Sequence, residues 1–248
     1  MKKIFAFATA FALFAAAQAF AIAGFGAHYL MNTGNLKSDN GVFNLNPLGN
    51  VSLEQGKSNP LRGVGFKLWL DFLPFVDIEG TFNMAFATYS STLNVPSKAI
   101  PIEVDLGVPF YGKASPVFSE LNGDISFAYP FTMIPIIRPY LGAGISYIAT
   151  TPVVNSSFTR DFFNNSAGKA LVSSGVIDEN QLTEALTNFV EDKGMTKGWG
   201  GHLLAGLRVK APVIPIAVYV NGKYYFGGNL PKQFSNGFVL ELGGGFAL

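Results

Sequence analysis

The sequence predicts an all-β fold, an eight-stranded antiparallel up-and-down β-barrel. Three observations predict it: apolar and polar residues alternate along extended segments, about eight such segments occur, and long and short connections alternate between them. Hydrophobic residues make up 49% of the chain and the mean hydropathy is +0.30, which is high for a soluble protein. A barrel whose outer wall faces lipid accounts for this excess of apolar residues.

The alternation has the period of a β-strand, in which successive side chains point to opposite faces. Between residues 76 and 86, one face carries Val, Ile, Gly, Phe, Met and Phe, and the other carries Asp, Glu, Thr, Asn and Ala. Residues 216–226 alternate in the same way, as do residues 203–210. Alternation alone also fits a soluble sheet with one solvated face.

Strand length separates these two possibilities. Most segments contain about 10–14 residues, whereas a globular strand usually has about five or six and a tilted membrane strand needs about 9–11. The predicted strands cover residues 24–32, 62–72, 75–89, 117–129, 136–149, 197–210, 214–226 and 237–248. The segments therefore favour a transmembrane barrel over a soluble β-sandwich.

The connections alternate in length, as in outer-membrane barrels with short periplasmic turns and long outer loops. The long connections are 33–61, 90–116, 150–196 and 227–236, and the short ones are 73–74, 130–135 and 211–213. Two features leave a ten-strand barrel open. Asn122–Gly123, within 117–129, is a hairpin-turn signal, and residues 100–106 also alternate.

The N-terminus has the pattern of a secretory signal peptide, with a basic start, an apolar run and two A-x-A cleavage patterns. We therefore predict a cleaved signal peptide over residues 1–21 and a barrel domain over 22–248. An uncleaved N-terminal anchor is the alternative. No later apolar run reaches the roughly 18 residues that a transmembrane helix needs.

The last eight residues resemble the C-terminal signal that the bacterial barrel assembly machinery recognises. The residues that carry this resemblance are Glu241, Gly243, Phe246 and Leu248, although an aromatic residue is usual at the last position. The resemblance implies that the assembly machinery is a partner of this chain.

A second resemblance lies in the segment Arg138-Pro139-Tyr140-Leu141-Gly142-Ala143-Gly144. It is similar to the fifth strand of the small barrels grouped around the outer-membrane protein W and outer-membrane protein A families, and the similarity extends over residues 136–248. The resemblance implies an eight-stranded barrel in the bacterial outer membrane, in contact with outer-membrane lipid. The W family further implies passage or binding of small hydrophobic molecules.

Strand parity predicts a charged lumen. Eight strands leave an interior wide enough for side chains or one small ligand, and buried charges there must be paired. We call nine charged residues that are predicted to face inward the lumen charge network: Lys67, Asp71, Asp77, Glu79, Asp124, Arg138, Arg208, Lys223 and Glu241. Lys210 has the same strand parity and is also predicted to face inward. The network is interpreted as a structural salt-bridge plug, with a polar gate or ligand site as the alternative.

The long connection 150–196 contains a helical pattern. Asp178 is placed as a helix N-cap, apolar residues from Leu182 to Val190 recur at helical spacing, and Gly194 is placed to end the helix. Residues 160–172 are a candidate second helix. We expect one or two helices that form a cap on the outer mouth, with an outward recognition surface as the alternative.

Several classes of site are not predicted. The chain has no cysteine, a formal net charge of +1 and only two histidines, His28 and His202, neither tied to a serine by spacing. We therefore predict no enzyme, no metal site, no cofactor and no nucleic-acid partner. Aromatic residues near strand ends are predicted to form interfacial girdles: Trp199, Tyr147, Phe226, Phe238, Tyr129, Phe72 and Phe75.

Three functions remain open at this point. The chain could be a closed barrel whose outer loops make surface contacts, a binder or channel for small hydrophobic molecules, or a lipid-modifying enzyme. A continuous apolar cavity behind Ile136, Ile148 and Leu204 would favour the second function. A histidine within hydrogen-bond reach of a serine at the membrane-facing rim would favour the third.

Overall fold

A computed structural model of the chain describes residues 23–71, 75–96, 98, 100–108, 112–131, 136–175, 177–211, 214–235 and 237–247. Eight strands close into one barrel. They are β1 (Ala23–Asn32), β2 (Leu61–Leu70), β3 (Asp77–Thr88), β4 (Val117–Pro130), β5 (Ile137–Thr150), β6 (Thr196–Lys210), β7 (Ile216–Gly227) and β8 (Phe238–Ala247). The predicted eight-stranded antiparallel barrel is confirmed. The predicted signal peptide lies outside the described residues.

Every strand pairs antiparallel with the strands before and after it in the chain, and β8 closes the barrel by pairing with β1. The topology is therefore up-and-down. The start of β1 and the end of β8 lie at the same end of the barrel, since Gly24 is paired with Ala247. We call this the short-turn end, because the connections there are brief, and we call the opposite end the long-loop end.

The structure excludes a ten-stranded barrel and assigns the ambiguous segment. β4 continues through Asn122 and Gly123 and stays paired with both neighbours, Asn122 with Asn83 and with Ile148. Continuous pairing on both sides outweighs the local turn preference of the dipeptide. The other alternating segment contributes residues 102–103 to a small sheet outside the barrel.

The two faces of the barrel wall differ in chemistry. Outward positions carry exposed apolar side chains on every strand, for example Phe66, Ile125, Leu203 and Leu242, which are 49–64% exposed. Inward positions are buried and are mostly polar, charged or small, with a few large apolar and aromatic side chains among them. Alternation with a period of two thus divides each strand between a hydrophobic exterior and a charged interior. In the described part of the chain, none of the helices has the length and apolar character required to cross a membrane.

The connections at the long-loop end fold into a cap. Its sheet consists of strands 39–45, 49–55, 91–94 and 102–103, contributed by the first two long connections. Two further strand pairs join 35–36 with 234–235 and 106–108 with 112–114. The third long connection forms helices α1 (Ser156–Asn164), α2 (Ser166–Ser173) and α3 (Glu179–Lys193).

The expectation of one or two helices in 150–196 is wrong, because the structure has three. The segment expected as one helix divides at Asn165, which has an extended backbone and serves both as the C-cap of α1 and as the N-cap of α2. The last helix has the predicted ends. The Asp178 carboxylate accepts hydrogen bonds from two backbone N–H groups of the first turn, and Gly194 ends the helix with a φ of 60°.

The cap and the barrel mouth share one hydrophobic core. Phe162 packs against Phe189 from α3 with ring centroids 5.5 Å apart, and both belong to the cluster that also contains the barrel residues Phe118 and Ile148. The apolar stripe of α3 is therefore buried, as expected for a cap.

Tyr89 fastens this layer to the end of β3. Its hydroxyl oxygen accepts a hydrogen bond of 2.8 Å from the backbone N–H of Val154, and burial raises the pKa of the phenol. The hydroxyl is thus neutral at ordinary pH, and the cap is tied to the barrel by a neutral hydrogen bond in an apolar setting.

Candidate functional site

The nine residues predicted for the lumen charge network all lie at the inner side of the barrel wall. Eight of them are on strands β2 to β8, and Asp71 directly follows β2. Their charged side chains are almost completely enclosed; the most accessible, Arg138, is only 18% exposed. The structure brings all nine into two ion-pair clusters. A charge enclosed in this way must be paired, because transferring an ion from water into the protein without a partner of opposite charge costs several kcal/mol.

The first group, which we call the turn-end cluster, lies towards the short-turn end. Its members are Lys67, Asp71, Asp77, Glu79, Arg138, Arg208 and Lys210. Arg208 is its centre, since its guanidinium donates to Asp71 at 2.8 Å and also to Glu79. Lys67 approaches the other Glu79 oxygen at 2.7 Å. One guanidinium on β6 therefore holds two carboxylates, one on β3 and one directly after the neighbouring strand β2, on the opposite side of the lumen.

Aromatic rings enclose this arginine. The guanidinium carbon lies 4.9 Å from the ring centroid of Trp69 and 5.4 Å from that of Tyr140. Gly206 makes this possible, because a Cβ there would lie 2.4 Å from the Tyr140 ring. The rings fill the space between the ion pairs, so the turn-end cluster is packed as well as charge-compensated.

The second group, which we call the central cluster, consists of Asp124, Lys223 and Glu241. The ammonium of Lys223 lies 2.8 Å from Asp124 and 2.9 Å from Glu241, and it also donates to the hydroxyl of Thr81 at 2.8 Å. Tyr225 donates to the same Asp124 oxygen at 2.7 Å. A single lysine thus forms ion pairs with carboxylates on two different strands.

A hydrogen-bond chain connects the two clusters. Lys67 donates to the Tyr140 hydroxyl at 3.0 Å, Tyr140 donates to Asn221, and Asn221 donates to Glu241 at 2.8 Å. The turn-end cluster contains four cations and three anions, while the central cluster contains one cation and two anions. The turn-end cluster thus has one excess positive charge and the central cluster has one excess negative charge. The formal charges of the two clusters, which the hydrogen bonds connect, therefore sum to zero.

Both histidines lie in the lumen and are buried. His28 hydrogen-bonds Asn83 at 2.6 Å and Tyr219 at 3.1 Å. The two ring nitrogens of His202 meet the hydroxyls of Ser126 and Ser146, each at 2.8 Å.

A serine therefore does lie within reach of a histidine, but away from the membrane-facing rim. Ser126, Ser146 and His202 are all 0% exposed inside the lumen. A hydrolytic site needs room for a substrate beside the nucleophile. These contacts instead orient an imidazole within the hydrogen-bonded interior.

One buried carboxylate escaped the sequence prediction. Glu120 is 4% exposed inside the barrel and accepts a hydrogen bond of 3.3 Å from Asn122. It has the same strand parity as Asp124, which was the signal that could have identified it. It sits where the polar lumen meets the apolar core beneath the cap.

The residues of the predicted assembly signal lie in different environments. Glu241 belongs to the central cluster, Gly243 faces inward beside His28, and Phe246 is exposed on the outer wall. Leu248 lies outside the described residues. Their role in assembly stays a prediction.

Six of the seven predicted girdle aromatics are described, and all six are exposed on the outside of the barrel. Trp199, Tyr147, Phe226 and Phe238 lie towards the long-loop end, and Tyr129 and Phe75 lie at the short-turn end. Phe72 is outside the described residues. The six therefore form two bands at opposite ends of the wall.

The residues expected around an apolar conduit do not meet. Ile148 belongs to the core beneath the cap, Leu204 packs in a separate small cluster with Ala128 and Tyr140, and Ile136 is 45% exposed. Among the described residues, no group of three or more His, Asp or Glu side chains is arranged to hold a metal ion. The lumen is built from ion pairs and hydrogen bonds.

Replacing Lys223 by Met should destabilise the barrel by about 3–5 kcal/mol, because Asp124 and Glu241 would lose their shared cation inside the lumen. Urea unfolding in detergent micelles measures this change. The matched control is Lys193→Met, which breaks the exposed ion pair with Asp161 on the cap and should cost about 0–1 kcal/mol. Equal unfolding midpoints for the two variants would contradict the role given to Lys223.

No protein-family model matches this sequence, and no curated protein matches it. Solved structures do show similarity. The outer membrane protein OprG from Pseudomonas aeruginosa is 10% identical with a TM-score of 0.42, and the match covers 89% of this chain and 95% of that chain.

Ail, the attachment invasion locus protein of Yersinia pestis, solved in complex with the heparin analogue sucrose octasulfate, is 10% identical with a TM-score of 0.43. That match covers 90% of this chain and 96% of Ail. Neisserial surface protein A is 12% identical with a TM-score of 0.42, covering 91% of this chain and 97% of that chain. This chain is thus similar to outer-membrane and surface proteins, at low sequence identity.

Proposed function

We propose that this protein is an integral barrel of the bacterial outer membrane, closed through its lumen, which holds a folded cap at the cell surface for contacts with other molecules. The observation that carries the proposal is the division of the barrel wall into an apolar exterior and an interior of paired charges. An exposed apolar band around a whole barrel is typical of barrels that span a membrane, because their outer wall contacts the hydrocarbon chains of the lipid.

The contents of the lumen support closure. The side chains of the ion-paired residues Lys67, Glu79, Arg208, Lys223 and Glu241 have no exposed surface. Arg208 pairs with Glu79 across the barrel and Lys223 pairs with Asp124 across it, while Lys67–Glu79 and Lys223–Glu241 join neighbouring strands. Opening a path for a solute would separate these ion pairs in a narrow interior, at a cost of several kcal/mol for each uncompensated ion. A continuous channel for small hydrophobic molecules would also need an apolar lining, which the ion pairs do not provide.

The cap supports a surface role. Its sheet and three helices have their own aromatic core, which is continuous with the core of the barrel mouth. The outer faces of the helices carry exposed polar and charged residues such as Lys169 and Asp192. A rigid, solvated layer on a membrane-anchored barrel is suited to present a fixed surface for binding. We expect no enzymatic activity, since both imidazoles are enclosed in the lumen.

The refolded mature protein should show no conductance in planar bilayers, because ion pairs fill the lumen beneath the cap. Conductance and uptake of apolar solutes into liposomes measure this. A variant in which residues 155–194 are replaced by a short Gly-Ser linker should also be silent if the lumen itself is closed. Heat-modifiable electrophoretic mobility verifies that each variant is folded.

Two results would contradict parts of this proposal. Discrete conductance of the intact protein that apolar solutes block would identify a channel. Conductance that appears only after removal of 155–194 would mean that the cap is a gate and that the ion pairs leave an open path.

The absence of native cysteine allows a clean test of orientation. Ser173→Cys, on the exposed end of α2, should react on intact cells with a membrane-impermeant maleimide. Phe75→Cys, at the exposed short-turn end, should react only after the outer membrane is permeabilised. The reverse labelling pattern would place the cap in the periplasm and remove its proposed surface role.

We also propose that the barrel assembly machinery recognises the C-terminal strand through Phe246, with Glu241, Gly243 and Leu248 as the rest of the signal. Phe246→Ser should therefore lower the fraction of folded, heat-modifiable protein in the outer membrane. Phe238→Ser, which removes another exposed ring from the other end of β8, is the control. Equal losses for both variants would assign the effect to general strand stability.

A further inference from the structure

The outer wall of the barrel contains a groove of about 440 Å³ that extends from β2 to β6, with Leu68 near the short-turn end of β2 and Trp199 near the long-loop end of β6. Its floor is formed by two outward-facing glycines, Gly80 on β3 and Gly123 on β4. The large side chains that line it are apolar or aromatic: Phe66, Leu68, Phe82, Ile125, Ile145, Tyr147 and Trp199.

The strand register explains the groove. Gly80 is paired with Leu68 and Ile125, and Gly123 is paired with Phe82 and Tyr147, so the two glycines lie diagonally between large neighbours. A Cβ at Gly123 would meet nothing within 4 Å, and one at Gly80 would meet only a backbone oxygen at 4.0 Å.

At another outward-facing glycine on the same wall, a neighbouring side chain covers the space. A Cβ at Gly201 would lie 2.5 Å from the ring of Phe226, which covers that position. An aromatic ring laid over a glycine is a known way to fill such a gap in a sheet. The neighbours of Gly80 and Gly123 leave theirs open, so the groove needs an occupant from outside the chain.

A lipid chain fits this groove better than a second copy of the protein. An unfilled gap would forfeit the dispersion contacts of its lining, and hydrocarbon is the medium that surrounds this part of a membrane barrel. A stable protein–protein interface buries about 800 Å² on each partner, much more than a groove framed by seven side chains offers. The groove is also concave, whereas the wall of a second barrel is convex.

The rim of the groove indicates which lipid. Tyr147 and Trp199 pack against each other at its long-loop side with ring centroids 5.0 Å apart. Tyrosine and tryptophan are enriched at the membrane–water interface. Lys197 lies two residues beyond Trp199 on the same outward face, roughly 6–7 Å further along the strand, and is exposed. An ammonium at this height is placed to meet the phosphate of a lipid headgroup.

We propose that this groove is a specific site for one acyl chain of an outer-leaflet lipid whose phosphate-bearing headgroup contacts Lys197. The proposal rests on the proposed membrane location of the barrel. The chain occupies the space over Gly80 and Gly123, and Trp199 packs against it near the headgroup.

The two tryptophans of the chain provide a direct test. Trp199 is 70% exposed at the rim, while Trp69 is 1% exposed in the lumen and serves as the unquenched reference. The protein is refolded into phosphatidylcholine liposomes that contain a minor fraction of acyl-brominated phosphatidylglycerol or, separately, of acyl-brominated phosphatidylcholine. Bromine quenches a tryptophan that it contacts.

Brominated phosphatidylglycerol should occupy the site about five-fold more than its neutral counterpart, since one lysine near the membrane surface contributes about this factor. Lys197→Gln should make the two lipids equal. Gly123→Leu and Gly80→Leu should each fill the groove and reduce quenching to the level expected from random lipid contact.

The matched control is Gly222→Leu. Gly222 also faces outward, and a Cβ there would meet only a backbone oxygen at 3.9 Å, but it lies on β7 away from the groove. Trp199 should be quenched in this variant to the same extent as in the wild type. Heat-modifiable mobility confirms that each variant is folded.

Three outcomes would overturn the proposal. Equal quenching in wild type and Gly123→Leu would mean that lipid contacts the wall without a site. Protection of Trp199 from both lipids, together with a dimer on cross-linking, would mean that a second copy covers the groove. Protein that does not insert into liposomes would instead overturn the membrane location, which distinguishes that failure from failure of the lipid site alone.

Discussion

The interior of this barrel depends on the requirement that charges enclosed in a narrow lumen be paired. Arg208 and Lys223 meet this requirement at two levels, because each holds two carboxylates from different strands. Neither cluster balances its own formal charge, and the hydrogen bonds through Tyr140 and Asn221 join the cluster with the excess of cations to the cluster with the excess of anions. Contacts that cross the lumen therefore connect opposite sides of a wall that backbone pairing closes.

The same strands present opposite chemistry on their outer face. Every residue that places a charge inside is followed by one that faces outward, so the apolar exterior and the polar interior cannot vary independently in register. Lys67 on β2, for example, points into the turn-end cluster, while its neighbours Phe66 and Leu68 line the groove on the outer wall. A shift of one residue would move the ion pairs to the outer face of the barrel and bury the aromatic rings among charges.

The cap follows a different principle, since its stability comes from packing. Its helices are short, at 8 to 15 residues, and such helices depend on tertiary contacts because isolated ones of this length are marginal in water. The aromatic rings of α1 and α3 supply those contacts and extend the core down to Phe118 and Ile148 in the barrel mouth. Polar lumen and apolar cap meet near Glu120, so the molecule changes from ion pairing to hydrophobic packing within a few residues along β4.

The sequence by itself determined the positions of the eight long strands and the face to which their side chains point, because alternation is a local property that pairing with any neighbour preserves. It left open whether two further strands join the barrel. Tertiary structure decided which inward charges meet: Lys67 reaches Tyr140, 73 residues away, only because the barrel closes. It also decided that Asn122–Gly123 continues a strand, since pairing on both sides outweighs the turn preference of two residues. The groove over Gly80 and Gly123 has the same origin, for two glycines 43 positions apart become neighbours only through the register of β3 with β4.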